Sequence, residues 1–314
     1  MREYSPGNPL VFCHIPKCAG NSLRGGLITA LQPELVVRRV DLALLGGYDD
    51  LDRLRATARK TFVFSPDDIP GDATFVTGHL SPGTTMARFP DADHITTLRN
   101  PRLRVVSQWI HSRSLSELDL RHWGGLSEAF RVGRLPFLEY LQHEMIAPNV
   151  DSTITRFLVW PHPLLRRDRF IEERHDDELL AVAIDRLDRF AHVGLVENPS
   201  FLAELGAWLG HKVPDSRLNE RTSIPPKRRP DMAAEMSPSA VELLDHRTRI
   251  DRRLWMHIAG KTLDADADEV LQASWDQSID RYAIALENPG GGRPVRRAAE
   301  ALYELKARLG FRSR

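Results

Sequence analysis

The chain has little cysteine, no net charge and no long apolar run. Only Cys13 and Cys18 occur in 314 residues, too few for a disulfide framework. Without a second Cys/His pair at ligand spacing they do not make a structural zinc site either. Forty-three basic side chains balance forty-three acidic ones, so no global field draws the protein onto nucleic acid, and any basic site is local. No stretch reaches the roughly 18 apolar residues that a membrane-spanning helix needs. Met1 to Pro6 carry no apolar leader run. The expectation is an unexported protein of a reducing cytoplasm, with no nucleic-acid partner and no transmembrane segment.

What is present is the composition of a globule. Hydrophobic residues make up 42% and charged residues 27% of the chain, and the length suits one α/β domain over residues 1–286. Leu10 to Ile15 is a short apolar run ended by Pro16, and Leu23, Leu27, Ile28 and Leu31 follow at helical spacing. Residues 61–64, 73–77, 94–98 and 190–196 read as further short buried strands, with helices over 100–113, 199–209 and 239–260 and another near the end. Residues 115–177 read as a mostly helical insertion beside the acceptor side of a cleft, and 214–230 as a basic, proline-rich loop.

Residues 287–314 read as a Gly-rich linker and a basic amphipathic helix, with Ala298, Ala301, Leu302, Leu305 and Leu309 as its apolar stripe. Three uses of that helix stay open: docking on its own domain, contact with an anionic membrane surface, or contact with a partner subunit in a homo-oligomer.

The densest signal is Val11-Phe12-Cys13-His14-Ile15-Pro16-Lys17-Cys18-Ala19-Gly20-Asn21-Ser22, an apolar strand entering a turn and then a helix. A helix start leaves backbone N–H groups unpartnered and carries partial positive charge, which together make an anion site. Lys17 adds a full charge, Gly20 allows close approach of the backbone, Asn21 is a good N-cap, and Ser22 can donate from the first turn. Read without a ligand, the same residues are an ordinary strand-loop-helix joint with a solvated Lys17.

This segment resembles the 5′-phosphosulfate loop of the sulfotransferases, particularly the carbohydrate branch, where His-Ile-Pro-Lys-Thr-Ala-Gly-Thr-Ser is common. Here Cys18 and Asn21 replace the two threonines. Thr97-Leu98-Arg99-Asn100-Pro101 through Ser107 resembles the family's second signature, a strand-end arginine and a serine eight residues on that hold the 3′-phosphate. Gly78-His79-Leu80-Ser81 is similar to an element of the branch that sulfates uronyl residues, in which the histidine is the base. Residues 193–197, the loop with Arg221 and Thr222, and 251–255 resemble later family elements.

The resemblance implies an α/β fold with a P-loop-NTPase-like parallel sheet flanked by helices, and 3′-phosphoadenosine 5′-phosphosulfate as donor, with 3′-phosphoadenosine 5′-phosphate as product. Lys17, Cys18, Ala19, Gly20, Asn21 and Ser22 would hold the 5′ end, Arg99 and Ser107 the 3′-phosphate, and Arg221 and Thr222 would close over it. Lys17 and His79 would be catalytic, with no metal required. The acceptor would be a hydroxyl on a carbohydrate or small metabolite.

His14 and His111 are the other histidines near these motifs, His14 being placed to order the loop. A Walker-type kinase has its lysine after the second glycine and a strand ending in Asp. Here Lys17 precedes Gly20 and the strand ends in Arg99, which favours direct capture of an anion. A nucleotide kinase and a non-catalytic bisphosphate-binding module remain as alternatives. Cys18, a thiol beside Lys17 at a helix start, is either a reactive group with a lowered pKa or an inert replacement for threonine. Trp109, Trp123 and Trp160 are available to stack on a sugar or to fill a core.

Overall fold

A computed structural model describes residues 2–41, 59–121, 126–166, 168–215 and 224–287. Strand β1, Leu10–Cys13, is apolar throughout and at most 1% exposed, as expected for the centre of a parallel sheet covered on both faces. Chain order then runs through α1 (Gly20–Leu31), β2 (Val36–Asp41), β3 (Phe62–Val63), β4 (Phe75–His79), α2 (Pro82–Arg88), β5 (Asp93–Leu98) and α3 (Pro101–Ser114). After an insertion come α4 (Asp176–Asp188), β6 (His192–Leu195), α5 (Phe201–Leu209), α6 (Pro238–Arg247), α7 (Arg249–Thr262) and α8 (Ala267–Glu287). All pairings in the six-stranded sheet are parallel, in the order β3-β2-β4-β1-β5-β6.

The period of two along β1 feeds two cores. Leu10 and Phe12 pack with Leu23 and Leu27 of α1 and Leu205 and Leu209 of α5, whereas Val11 and Cys13 face Val76, Ile154, Leu254 and Trp255 on the other side. Residues 115–177 are helical in short pieces, among them Phe137–Gln142 and Thr153–Val159. Phe137, Tyr140 and Leu141 join Trp109 of α3 and Trp275 of α8 in a third cluster. Each such large apolar side chain contributes about 2 kcal/mol by leaving water. Trp109 is therefore core, its Nε1 donating to the Leu135 carbonyl at 3.1 Å, and Trp160 is half-buried against the sheet-side core. Trp123 lies outside the described residues, as do Arg221, Thr222 and the whole of 288–314.

Three boundaries differ from the sequence expectation. Strand β4 runs to His79 instead of stopping at Thr77, because β1 and β2 continue to pair with it through Cys13↔Gly78 and Val40↔His79. Helix α1 begins at Gly20 with Ala19 as its cap, so Asn21 is an exposed second residue and not the N-cap. The helix expected over 239–260 is two helices meeting at Thr248, whose hydroxyl donates to the Leu244 carbonyl at 2.8 Å. Among the described residues, no helix is long and apolar enough to cross a membrane.

Candidate functional site

The carboxyl ends of β1, β4, β5 and β6 lie along one edge of the sheet, where parallel α/β folds place their ligand crevice. The loop leaving β1 is the centre of that edge. Lys17 and Ala19 both hold left-handed backbone, with φ of 69° and 57°, a conformation that costs a residue with a side chain about 1–2 kcal/mol. Neighbours hold it in place. The Cys18 N–H donates to the Ile15 carbonyl at 3.3 Å, Thr97 Oγ1 donates to the Cys18 carbonyl at 2.7 Å, and the Arg99 guanidinium donates to the Lys17 carbonyl at 3.2 Å. Two strand-to-helix junctions are thereby tied together, and Lys17 and Arg99 stand side by side. Ala19, the cap of α1, makes no side-chain cap hydrogen bond, and a helix start of this kind can offer backbone N–H groups to an anion.

Gly20 is needed for a reason the sequence did not disclose. A Cβ there would come within 1.8 Å of the His14 ring, so the missing side chain accommodates the histidine before any ligand. His14 is 6% exposed, stacks on Phe12 at 5.7 Å, and lies 4.6 Å from the His79 ring. Its carbonyl accepts a hydrogen bond from His79 Nδ1 at 2.8 Å. A carbonyl only accepts, so Nδ1 carries the proton and Nε2 of neutral His79 keeps its lone pair. Burial, opposed by that hydrogen bond and aided by Arg38, Lys17 and Arg24, pushes the His79 pKa down to about 4. Gly78 lets β2 close in beside it: its φ is +132°, and a Cβ would meet the Arg39 carbonyl oxygen at 1.9 Å.

Lys17 is half-buried, and burial first, then Arg99 and Arg104, push its pKa down to about 8, with the Cys18 thiol acting weakly the other way. Its charge is therefore lost as pH rises through about 8. An anion held there binds most tightly below that pH. Affinity measured by calorimetry should fall toward tenfold per pH unit above it, and Lys17→Met should flatten the dependence.

Ser107 sits in the second turn of α3, half-buried, its hydroxyl making no hydrogen bond among the described residues. His111 follows one turn later, packs edge-on to Phe130 at 6.2 Å, and has its pKa lowered to about 4 by burial and then by Lys17. Cys18 settles as the inert alternative. It is 0% exposed within the core, and burial pushes its thiol up to about 12, outweighing the nearby Arg104 and Arg99. Its side chain thus cannot meet a ligand; only its backbone takes part in the loop. Ala19 and Asn21 are exposed, Ser22 is half-buried with a bonding partner, and Arg221 and Thr222 fall outside the described residues.

Sequence reasoning missed four supports. Thr97, whose hydroxyl pins the loop, is one. Asp41 is the second: it accepts from the Ser81 N–H and hydroxyl at 3.3 and 2.9 Å and from Thr84 at 2.5 Å, fixing the turn after His79. Glu197 accepts the Asn100 N–H at 2.8 Å and Trp255 Nε1 at 3.2 Å, while Asn100 Oδ1 caps α3 through the Arg102 N–H at 3.1 Å. Burial raises the Glu197 pKa. The fourth is Arg104, fully buried, whose charge acts on Lys17. No protein-family model matches this chain, and no curated protein matches it.

Proposed function

We propose that the protein is a sulfotransferase that moves a sulfuryl group from 3′-phosphoadenosine 5′-phosphosulfate to a hydroxyl of a carbohydrate or small-metabolite acceptor. The observation that supports this reading is the hydrogen bond from the Arg99 guanidinium to the Lys17 backbone carbonyl at 3.2 Å, which ties the two cationic junctions together; in this reading one doubly phosphorylated nucleotide spans both. The residues fit such a donor. The left-handed turn at Lys17 and Ala19 presents a helix start with no side-chain cap, and the Ser107 hydroxyl on the next helix makes no hydrogen bond among the described residues. In this reading Lys17 and the N–H groups of residues 19–22 hold the 5′ end, and Arg99 and Ser107 hold the 3′-phosphate.

When bound, the donor would supply the sulfuryl group, its sulfur–oxygen bond to the 5′-phosphate breaking so that 3′-phosphoadenosine 5′-phosphate leaves. His79 Nε2 takes the acceptor's hydroxyl proton, and the Nδ1 bond to the His14 carbonyl keeps the ring in the tautomer that can do so. Lys17 places its charge where negative charge grows, the preorganised role that usually contributes most. The chain fits a reducing cytoplasm, where Cys13 and Cys18 stay as thiols.

Thermal shift with three ligands tests the reading. Stabilisation by 3′-phosphoadenosine 5′-phosphate above AMP and above ATP with magnesium is expected, together with transfer of labelled sulfate to an acceptor pool. Stabilisation by magnesium ATP alone ends the sulfotransferase reading and favours a nucleotide kinase. Bisphosphate binding with no transfer to any acceptor makes it a binding module.

A further inference from the structure

Arg104 of α3 is 0% exposed, yet the only hydrogen bond its guanidinium makes among the described residues is from one terminal nitrogen to the Asn149 carbonyl. Among the described residues its Nε and other terminal nitrogen are buried without a hydrogen-bond partner, and no carboxylate pairs with it at ion-pair distance. A buried cation left in this state is costly, because the charge has lost its water and gained no counter-ion. Asp251, the nearest acidic influence on it, spends its oxygens on the Ile154 and Thr155 N–H groups and the Thr155 hydroxyl.

Arg104 lies one turn before Ser107 on the same face of α3, and it acts on Lys17, Cys18 and Arg99. The positive charge of Lys17 and Arg99 at the sheet edge is thus joined by a third, buried one.

We propose that Arg104 is a positioning residue for the anion site: its unpaired charge, held under the β1 loop without touching the ligand, makes the loop a receptor for a multiply charged phosphate ester and is balanced only when that anion binds. The inference rests on the nucleotide reading above, and it adds a trade between the empty and the loaded protein. The buried charge opposes folding of the empty form and favours the filled one.

Two substitutions test it, Arg104→Met, which keeps the length and removes the charge, and Arg104→Lys, which keeps the charge. Each is titrated calorimetrically with 3′-phosphoadenosine 5′-phosphate and with inorganic pyrophosphate, and melted without ligand. For Arg104→Met, affinity for both anions should fall about tenfold or more, while the melting temperature of the empty protein holds or rises. The Lys17 pKa, read from the pH dependence of binding, should move up toward its ordinary value. Arg104→Lys should keep most of the affinity.

A residue that only fills space would lose melting temperature and affinity together and leave the pH dependence alone, and that result overturns the proposal. If Arg104→Met does not fold, Arg104→Lys decides: a loss of affinity as large as that of Ser107→Ala overturns it. Pyrophosphate binding that responds to Arg104 without any nucleotide binding would sink the nucleotide reading and keep this one. Absence of binding to either anion overturns both.

Discussion

His79→Ala lowers kcat by about 10²- to 10⁴-fold, the contribution of a well-placed general base. It leaves the affinity for 3′-phosphoadenosine 5′-phosphate nearly unchanged, since the proposed role of the imidazole is toward the acceptor hydroxyl and not the nucleotide. The pH profile of the unaltered protein carries a second mark of the same residue. Burial pushes His79 down to about 4, so the neutral base is present above that pH and is lost as pH falls through it. The acid limb of kcat/KM, which reports the free protein, should therefore lie near pH 4. That of kcat should lie higher, because a bound anion beside His79 favours its charged form. A variant that turns over normally, or one that loses nucleotide affinity and kcat in proportion, moves the base elsewhere. His14, buried and already serving as the carbonyl partner, is poorly placed to substitute. His111, also held near 4, is the residue to exchange next.

Arg99→Ala weakens binding of the bisphosphate by about 10²-fold, the loss expected when a charge-assisted, two-pronged phosphate contact is removed. Arg99 is half-buried and, among the described residues, makes one hydrogen bond, to the Lys17 carbonyl; Thr97 still pins the loop in the Ala variant, so the melting temperature of the empty protein should fall only slightly. Arg99→Lys keeps the charge but loses the planar fork and should recover only part of the affinity. AMP, which lacks a 3′-phosphate, should lose far less affinity in the Ala variant than the bisphosphate does, the small loss reflecting the missing clasp on the loop. Equal bisphosphate affinity in Arg99→Ala would falsify the assignment of the 3′ end to this strand.

The central strand and the two junctions that flank it were legible because parallel strands buried on both faces are apolar without interruption, as β1 is, and because Pro16 and Asn100-Pro101 punctuate them. β2 was not read as a strand. Arg38 and Arg39 interrupt its valines, and its exposed positions remove the unbroken run that marked β1. α2 was hidden by Pro82 and Gly83, which look like a loop; Ser81 before a first-turn proline is nonetheless a helix start, and its hydroxyl accepts the Thr84 N–H at 3.3 Å.

Within the site, Lys17, His79 and Arg99 could be picked out by residue type and by position at strand ends. The residues that hold them are polar groups facing inward: Thr97, Glu197 and Asp251. Periodicity does not mark such positions, because their role depends on which backbone amide or carbonyl the fold brings opposite them. Arg104 was invisible for a related reason. On a helix that starts with basic residues, nothing in the spacing separates an arginine that points inward without a partner from Arg102, which is paired with Asp245 at the surface.

The unusual torsions at Lys17 and Ala19 also bear on how quickly and how cheaply a guest is received. The two clasps from the neighbouring strand, Thr97 and Arg99, impose that shape during folding, so the cradle exists before anything arrives. Little ordering then remains to be done at the moment of encounter, and less of the attraction is lost to freezing the chain. Encounter rates should accordingly track diffusion and ionic strength, and not a slow rearrangement of the loop.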